Sequence, residues 1–350
     1  MKKKAFLNGG QAVAEGSVYS GCRYYYSVPK PYNNQIIEYM SYRMPEVNGV
    51  FIQAENERTA IGMVIGSSVA GERVMTSSIT ESVSSMLEGI NYMSAMELPC
   101  VIVSIMYGRD GIINYEHGQY GYSDFVKSSS HINNKHIVLA PNSAQSVYDL
   151  TIKAYELADK YRNPVIVLLD SYLTIRSESI DVFNELLSPD KIEEKNWKLD
   201  GAKNREPRVL KNFQGDNFDR YKKIMKKISS MEHEYFHEEY FTEDAEEIII
   251  AFGSFSKNIL GYVHELRKKG KKIGIFIPLS LSPFPQNRLI ELAKKAKKIT
   301  VTEVNTGFLY SDILNILREN ITIDFVGETD EIIGFREVLK EFKKRYDLND

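Results

Sequence analysis

Five short apolar runs, GVFIQA (49–54), ERVMTSS (72–78), LPCVIVSIM (98–106), HIVLAP (136–141) and NPVIVLLDSYL (163–173), constrain the fold more than any other feature of the chain. Each reads as a strand, and segments of helical periodicity such as SVSSMLEGINYMSAME (82–97) and SAQSVYDLTIKAYELADKY (143–161) separate them. Strands that alternate with crossover helices build a mainly parallel sheet, so an α/β fold is expected. The rhythm stops after Leu187, where the chain becomes charged, poor in aliphatic residues and partly helical, as in a connecting arm. A second α/β unit is expected from EEIIIAFGS (246–254) through KKIGIFIPLSL (271–281), KKITVTEVN (297–305) and ITIDFVG (321–327) to a charged C-terminal helix. The expected division is 1–187, an arm at 188–243, and 244–350.

Composition narrows the function. A chain of 350 residues with 43% apolar content can build more than one packed core. Its 44 basic against 47 acidic residues, net −3, give no electrostatic reason to expect nucleic acid or an anionic membrane as partner. No apolar run approaches the ~18–20 residues of a membrane span, and MKKKAFLNGG enters a strand pattern without the apolar stretch of a signal peptide, so a cytoplasmic home is expected. Cys22 and Cys100 are the only cysteines, too few for the four thiolates of an iron–sulfur cluster, which places any redox centre on another chain. His233 and His237 stand at helical i,i+4 spacing in KIMKKISSMEHEYFHEEY (223–240), but without a third ligand; a solvated helix face is expected there, and no metal site.

Glu55 and Glu57 stand between a strand-like start and a run of small residues. A helix is expected to begin near Asn56 or Glu57, with Ala60, Gly62, Gly66 and Ala70 keeping one face thin for close packing. A carboxylate at a helix N-terminus is already favourable to the dipole, so spacing alone leaves both a capping and a functional role open.

The stretches GGQAVAEGSVYSGCRYYY (9–26), GVFIQAENERTAIGMVIGSSVAGERVMTSS (49–78), MLEGINYMSAMELPCVIV (86–103) and IVLAPNSAQSVYDLTIKAYELADKYRNPVIVLLDSYL (137–173) carry a resemblance to a known family. YFTEDAEEIIIAFGS (240–254), IPLSLSPFP (277–285) and VTEVNTG (301–307) extend it through the second unit. The chain resembles the alpha subunit of 2-oxoacid:ferredoxin oxidoreductases, in particular the branched-chain (2-oxoisovalerate) type. The resemblance implies a pyrimidine-side thiamine-diphosphate-binding domain followed by a transketolase C-terminal-like domain. It also implies a cofactor shared with a beta subunit that supplies the diphosphate and magnesium site, iron–sulfur clusters on further partner subunits, and a 2-oxoacid and coenzyme A as substrates. Glu57 matches the family's pyrimidine-contacting glutamate, whose carboxyl group hydrogen-bonds the ring nitrogen and so lets the exocyclic nitrogen take the thiazolium C2 proton.

The substrate side departs from the family. In YSVPKPYNN (26–34), Pro31 stands where the family's substrate-contacting threonine does. A family arginine that holds the 2-oxoacid carboxylate is replaced by Tyr107, with Arg109 two residues on as the remaining cation. Thr80-Glu81-Ser82 replaces a Ser-Pro-Gly turn, and His131 matches a family histidine, for which a loop hydrogen bond to backbone is an equal alternative. GRDG (108–111) with Asn133 and Asn134 loosely imitates the motif that binds the diphosphate through magnesium, but Arg109 breaks its first glycine–aspartate step. Two further readings stay open: a thiamine-dependent decarboxylase or transferase subunit without redox chemistry, and a non-catalytic partner subunit.

Overall fold

The computed structural model describes residues 2–106, 118–127, 135–203, 205–210, 217–318 and 321–348. The chain opens with β1 (Lys2–Asn8) and α1 (Gly9–Tyr19), then runs β2 (Tyr24–Ser27), α2 (Asn34–Glu46), β3 (Val50–Gln53), α3 (Glu57–Val69), β4 (Val74–Ile79), α4 (Thr80–Val83), α5 (Leu87–Met96) and β5 (Cys100–Met106). It continues with β6 (Ile137–Leu139), α6 (Ala144–Tyr161), β7 (Pro164–Asp170), α7 (Ser171–Ile175), β8 (Ser177–Phe183) and α8 (Asn217–Met231). The remainder comprises β9 (His237–Tyr240), β10 (Glu247–Ile250), α9 (Phe255–Lys268), β11 (Ile273–Pro278), β12 (Ser280–Ser282), α10 (Gln286–Ala293), β13 (Lys298–Thr302), α11 (Phe308–Leu317), β14 (Thr322–Val326) and α12 (Phe335–Arg345).

The first sheet has seven strands in the order β12-β6-β7-β5-β4-β2-β3, parallel apart from β12. Successive residues of a strand point to opposite faces, and here both faces are covered, which is why β5 and β7 read as unbroken apolar runs. Val101, Val103 and Val167 pack with Val13 of α1, Ile36 of α2 and Val147 of α6 on one face. Ile102, Ile166 and Leu168 pack with Ile61 of α3, Ile90 of α5, and Phe276 and Leu281 of the second unit on the other. The two units therefore share a core.

The second sheet, β14-β13-β10-β11-β9, is parallel except for β9. Two strands tie the parts of the chain together. β9 emerges from the arm to pair with β11, and β12 leaves the second unit to pair with β6 in the first sheet. β1 and β8 form a separate antiparallel ribbon, in register from Lys2↔Phe183 to Asn8↔Ser177.

The expected helix carrying His233 and His237 is not formed. α8 ends at Met231, and His237 opens β9, where its ring stacks on Phe276 and its Nε2 lies 3.0 Å from Glu239. Long-range pairing overrides local helical propensity here, since Phe236 O accepts hydrogen bonds from the backbone of Leu279 and Ser280. The small residues of α3 also differ from expectation. Ala60 faces inward with Ile61, Val64 and Ser68, whereas Gly62 and Gly66 lie on the opposite face, where an added Cβ would meet nothing within 4 Å among the described residues. At 3.6 residues per turn, positions 60 and 62 cannot share a face.

Candidate functional site

Open parallel sheets present their ligand crevice at the carboxyl ends of the strands. β2 and β3 are neighbours with Ser27 opposite Gln53 in the register, and the loops that follow them meet at this edge. Three residues after β3, Asn56 caps α3, its side chain accepting from Thr59 N at 2.9 Å. Asn56 thus takes the capping role left open for the acidic pair. Glu55 is exposed, while Glu57 is only 8% exposed. Glu57 Oε1 is buried with no hydrogen-bond partner among the described residues, and the Lys30 ammonium lies 3.5 Å from it. A buried carboxylate oxygen is costly to keep without a donor, and among the described residues only the Lys30 ammonium approaches Glu57 Oε1, beyond hydrogen-bonding geometry.

The loop after β2 is pinned from below. Asn33, fully buried, directs its amide at Ser27 Oγ (2.9 Å), Val28 O (3.3 Å) and Ser77 O (3.2 Å). Ser27 Oγ donates in turn to Ser77 O at 2.6 Å, and the Tyr25 and Ser77 hydroxyls are 2.5 Å apart. Pro31 is exposed on this loop, and Tyr32 adopts a left-handed conformation, φ 61°, as the backbone turns back toward Asn33. Deeper in the sheet, Ser78 and Ser104 stand opposite each other on β4 and β5, both buried, and neither hydroxyl has a partner among the described residues.

Residues 118–127 lie against the same strand ends. A Cβ on Gly121 would come within 2.7 Å of Met106 and 2.8 Å of Thr80, so only glycine permits that approach. Gln119 then clamps the second unit: its N donates to Val304 O (2.8 Å), its Nε2 to Phe252 O (2.9 Å), and its Oε1 accepts from Val304 N (2.9 Å). Asp170, at the end of β7, accepts from Ser254 N (2.6 Å), Ser254 Oγ (2.7 Å) and Leu173 N (3.0 Å). The ends of β10 and β13, where a second α/β unit would present its own crevice, are filled by Gln119.

Glu303 borders this seam, fully buried and accepting from Asn305 Nδ2 (2.7 Å), Leu309 N (3.0 Å) and Tyr310 N (2.8 Å). Burial pushes its carboxyl up to about 7, against the opposing pull of those donors. The folded chain then holds a proton on Glu303 that the unfolded chain has released, so its contribution to stability falls as pH rises from about 4.5 to about 7 and levels off above. Thermal melts of wild type and Glu303→Gln across pH 5–8 are expected to show wild type losing ground to the variant up to about pH 7, with a constant difference beyond. A difference independent of pH would contradict this.

Of the residues predicted from sequence, the structure brings Glu57 and the Pro31 loop to one edge and turns Thr80-Glu81-Ser82 into the start of α4. Tyr107, Arg109, His131, Asn133 and Asn134 lie outside the described residues. Sequence reasoning missed Lys30 and Asn33. A signal for Asn33 was present, a polar residue directly after a Pro-Lys-Pro loop and before a helical pattern, which suits a buried turn anchor.

Two family models cover this architecture. Residues 15–249 match the pyruvate flavodoxin/ferredoxin oxidoreductase thiamine diphosphate-binding model, and residues 245–333 match core domain II of pyruvate:ferredoxin oxidoreductase. The chain belongs to the pyruvate flavodoxin/ferredoxin oxidoreductase family. Within this family it is 37% identical over 315 residues to a ketoisovalerate oxidoreductase subunit VorB of Methanothermobacter marburgensis, covering 88% of each chain. It is 31% identical to a 2-oxoglutarate synthase subunit KorA of Methanocaldococcus jannaschii, covering 93% of this chain and 96% of that one. In fold it is similar to a 2-oxoglutarate:ferredoxin oxidoreductase from Magnetococcus marinus, with TM-score 0.81 at 21% identity, over 99% of this chain and 66% of that chain. The matched thiamine diphosphate-binding region includes Glu57, and a buried carboxylate with no hydrogen-bond donor among the described residues fits such a cofactor.

Proposed function

We propose that this chain is the pyrimidine-side subunit of a 2-oxoacid:ferredoxin oxidoreductase. The enzyme oxidatively decarboxylates a 2-oxoacid to an acyl-CoA and passes the electrons to iron–sulfur clusters on partner chains. One observation carries the reading: a buried carboxylate at the crevice edge, relieved of capping by Asn56, whose Oε1 has no hydrogen-bond donor among the described residues. When bound, thiamine diphosphate supplies the carbon nucleophile and electron sink for decarboxylation. Glu57 holds the proton shared with the cofactor's aminopyrimidine, and its burial keeps water from competing for it. Asn33, Ser27 and Ser77 keep the facing loop rigid, so that group and substrate meet in a fixed geometry. Pro31, Tyr107, Arg109 and His131 are the proposed substrate-side residues, in a cytoplasmic enzyme. A beta subunit supplies the diphosphate and magnesium site.

The face of α3 that carries Gly62 and Gly66 is uncovered by the described residues, and beside it the outer strand β3 exposes Val50 (37%) and Ile52 (38%). We assign the beta subunit to this face, on the outer side of the helix whose first turn carries Glu57. The test is purification alone and with the chains encoded beside it. The single chain is expected to bind thiamine diphosphate weakly and to show no oxidoreductase activity, and the assembled complex to show both. Gly62→Leu is expected to leave the single chain at least as stable, since a helical glycine costs about 1 kcal/mol, while weakening assembly by about tenfold or more. Assembly of Gly62→Leu at wild-type affinity would move the interface elsewhere, and tight magnesium-dependent cofactor binding by the single chain would overturn the shared site.

A further inference from the structure

Lys30 and Glu57 come from different strand ends, one in the loop after β2 and the other in the first turn of α3, yet the Lys30 ammonium stands 3.5 Å from Glu57 Oε1. This is an ion-pair contact longer than a good N–H···O bond, and Oε1 makes no hydrogen bond among the described residues. The Lys30 backbone is fixed, because Asn33 N donates to both Lys30 O (3.2 Å) and Pro31 O (2.7 Å) while the Asn33 amide grips Ser27 and Ser77. Its side chain is different: 35% exposed and on a flexible four-carbon stem, it can turn while the loop stands still.

A 2-oxoacid reacting at this edge brings a second carboxylate into a crevice that already holds Glu57. Two carboxylates in one crevice repel and each resists desolvation, and a cation that can reach the incoming one relieves its penalty. Among the described residues, Lys30 is the cation within 4 Å of Glu57. We propose that Lys30 is a specificity residue for the substrate carboxylate. Its ammonium leaves Glu57 as the cofactor ring engages that oxygen and pairs with the carboxylate of the 2-oxoacid, favouring carboxylate-bearing substrates over neutral aldehydes and ketones. The proposal rests on the reading of Glu57 as the cofactor's partner.

The test uses the assembled complex carrying wild-type Lys30, Lys30→Met or Lys30→Arg, with whichever of pyruvate, 2-oxoisovalerate and 2-oxoglutarate the wild-type complex oxidises. Lys30→Met is expected to raise KM for the 2-oxoacid about 10- to 100-fold, the range carried by a charged hydrogen bond, with KM for coenzyme A unchanged and Lys30→Arg recovering much of the loss. A second readout needs no turnover. Acetylation of Lys30 by acetic anhydride, quantified by peptide mass spectrometry on the wild-type complex without coenzyme A, is expected to slow several-fold with the 2-oxoacid and not with isobutyraldehyde. An active wild-type complex whose 2-oxoacid KM is indifferent to Lys30→Met, or whose Lys30 is not protected by the 2-oxoacid, overturns the proposal alone. A wild-type complex that oxidises no 2-oxoacid overturns the functional reading, and this proposal with it.

Discussion

Replacing Glu57 by glutamine is expected to slow turnover by the assembled complex by about 10²-fold or more, the loss typical of a general acid–base group. The substitution keeps size and hydrogen-bonding capacity and removes the acid. The fold has little reason to respond, because Asn56 and not Glu57 caps α3, and Glu57 Oε1 makes no internal hydrogen bond among the described residues. Turnover is read as 2-oxoacid-dependent reduction of ferredoxin, and the same variant should slow exchange of the cofactor's C2 proton by a similar factor. Unaltered exchange in an otherwise active complex would leave Glu57 with no more than a favourable place at a helix N-terminus.

The second large effect is on stability. Asp170→Ala is expected to destabilise the chain by about 3 kcal/mol or more, seen as a lower denaturation midpoint. The substitution strands Ser254 N, Ser254 Oγ and Leu173 N inside the seam between the two units. Each buried donor left without a partner costs about 1–3 kcal/mol. Asp181→Ala is the control, since Asp181 forms an exposed ion pair with Lys4 at 2.9 Å, and exposed pairs contribute about 0–1 kcal/mol. Equal effects from the two substitutions would mean that the Asp170 network does not hold the units together.

The parallel sheet was legible because strands covered on both faces write themselves as unbroken apolar runs, as in 98–106 and 163–173. β2 was not among those runs. Its sequence, Tyr24 to Ser27, is three tyrosines and a serine, yet it lies between β3 and β4 and starts the loop that faces Glu57. β9 and β12 escaped for another reason: they are four and three residues long, and only partners far away in sequence make them strands. At the site, the adjacency of Glu55 and Glu57 said nothing about which one matters. Resemblance pointed to Glu57, and burial separates the two, Glu55 lying outside and Glu57 inside. Lys30 could not be read at all, because its contact with Glu57 joins loops at the ends of two neighbouring strands across 27 positions, from residue 30 to residue 57. Of the thin face expected on α3, Ala60 drops out on helical phase, and the glycines that looked like internal packing devices face outward instead.

The central claim is that this chain completes a thiamine-diphosphate-dependent 2-oxoacid oxidoreductase. It is tested most directly by measuring ferredoxin reduction spectroscopically in the reconstituted complex, with pyruvate, 2-oxoisovalerate and 2-oxoglutarate each offered in the presence and absence of coenzyme A, thiamine diphosphate and this chain. Reduction that requires at least one 2-oxoacid, coenzyme A, the cofactor and this chain together is the predicted result; reduction that proceeds equally well when this chain is omitted, or no reduction with any of the three acids in a fully assembled complex, would contradict it.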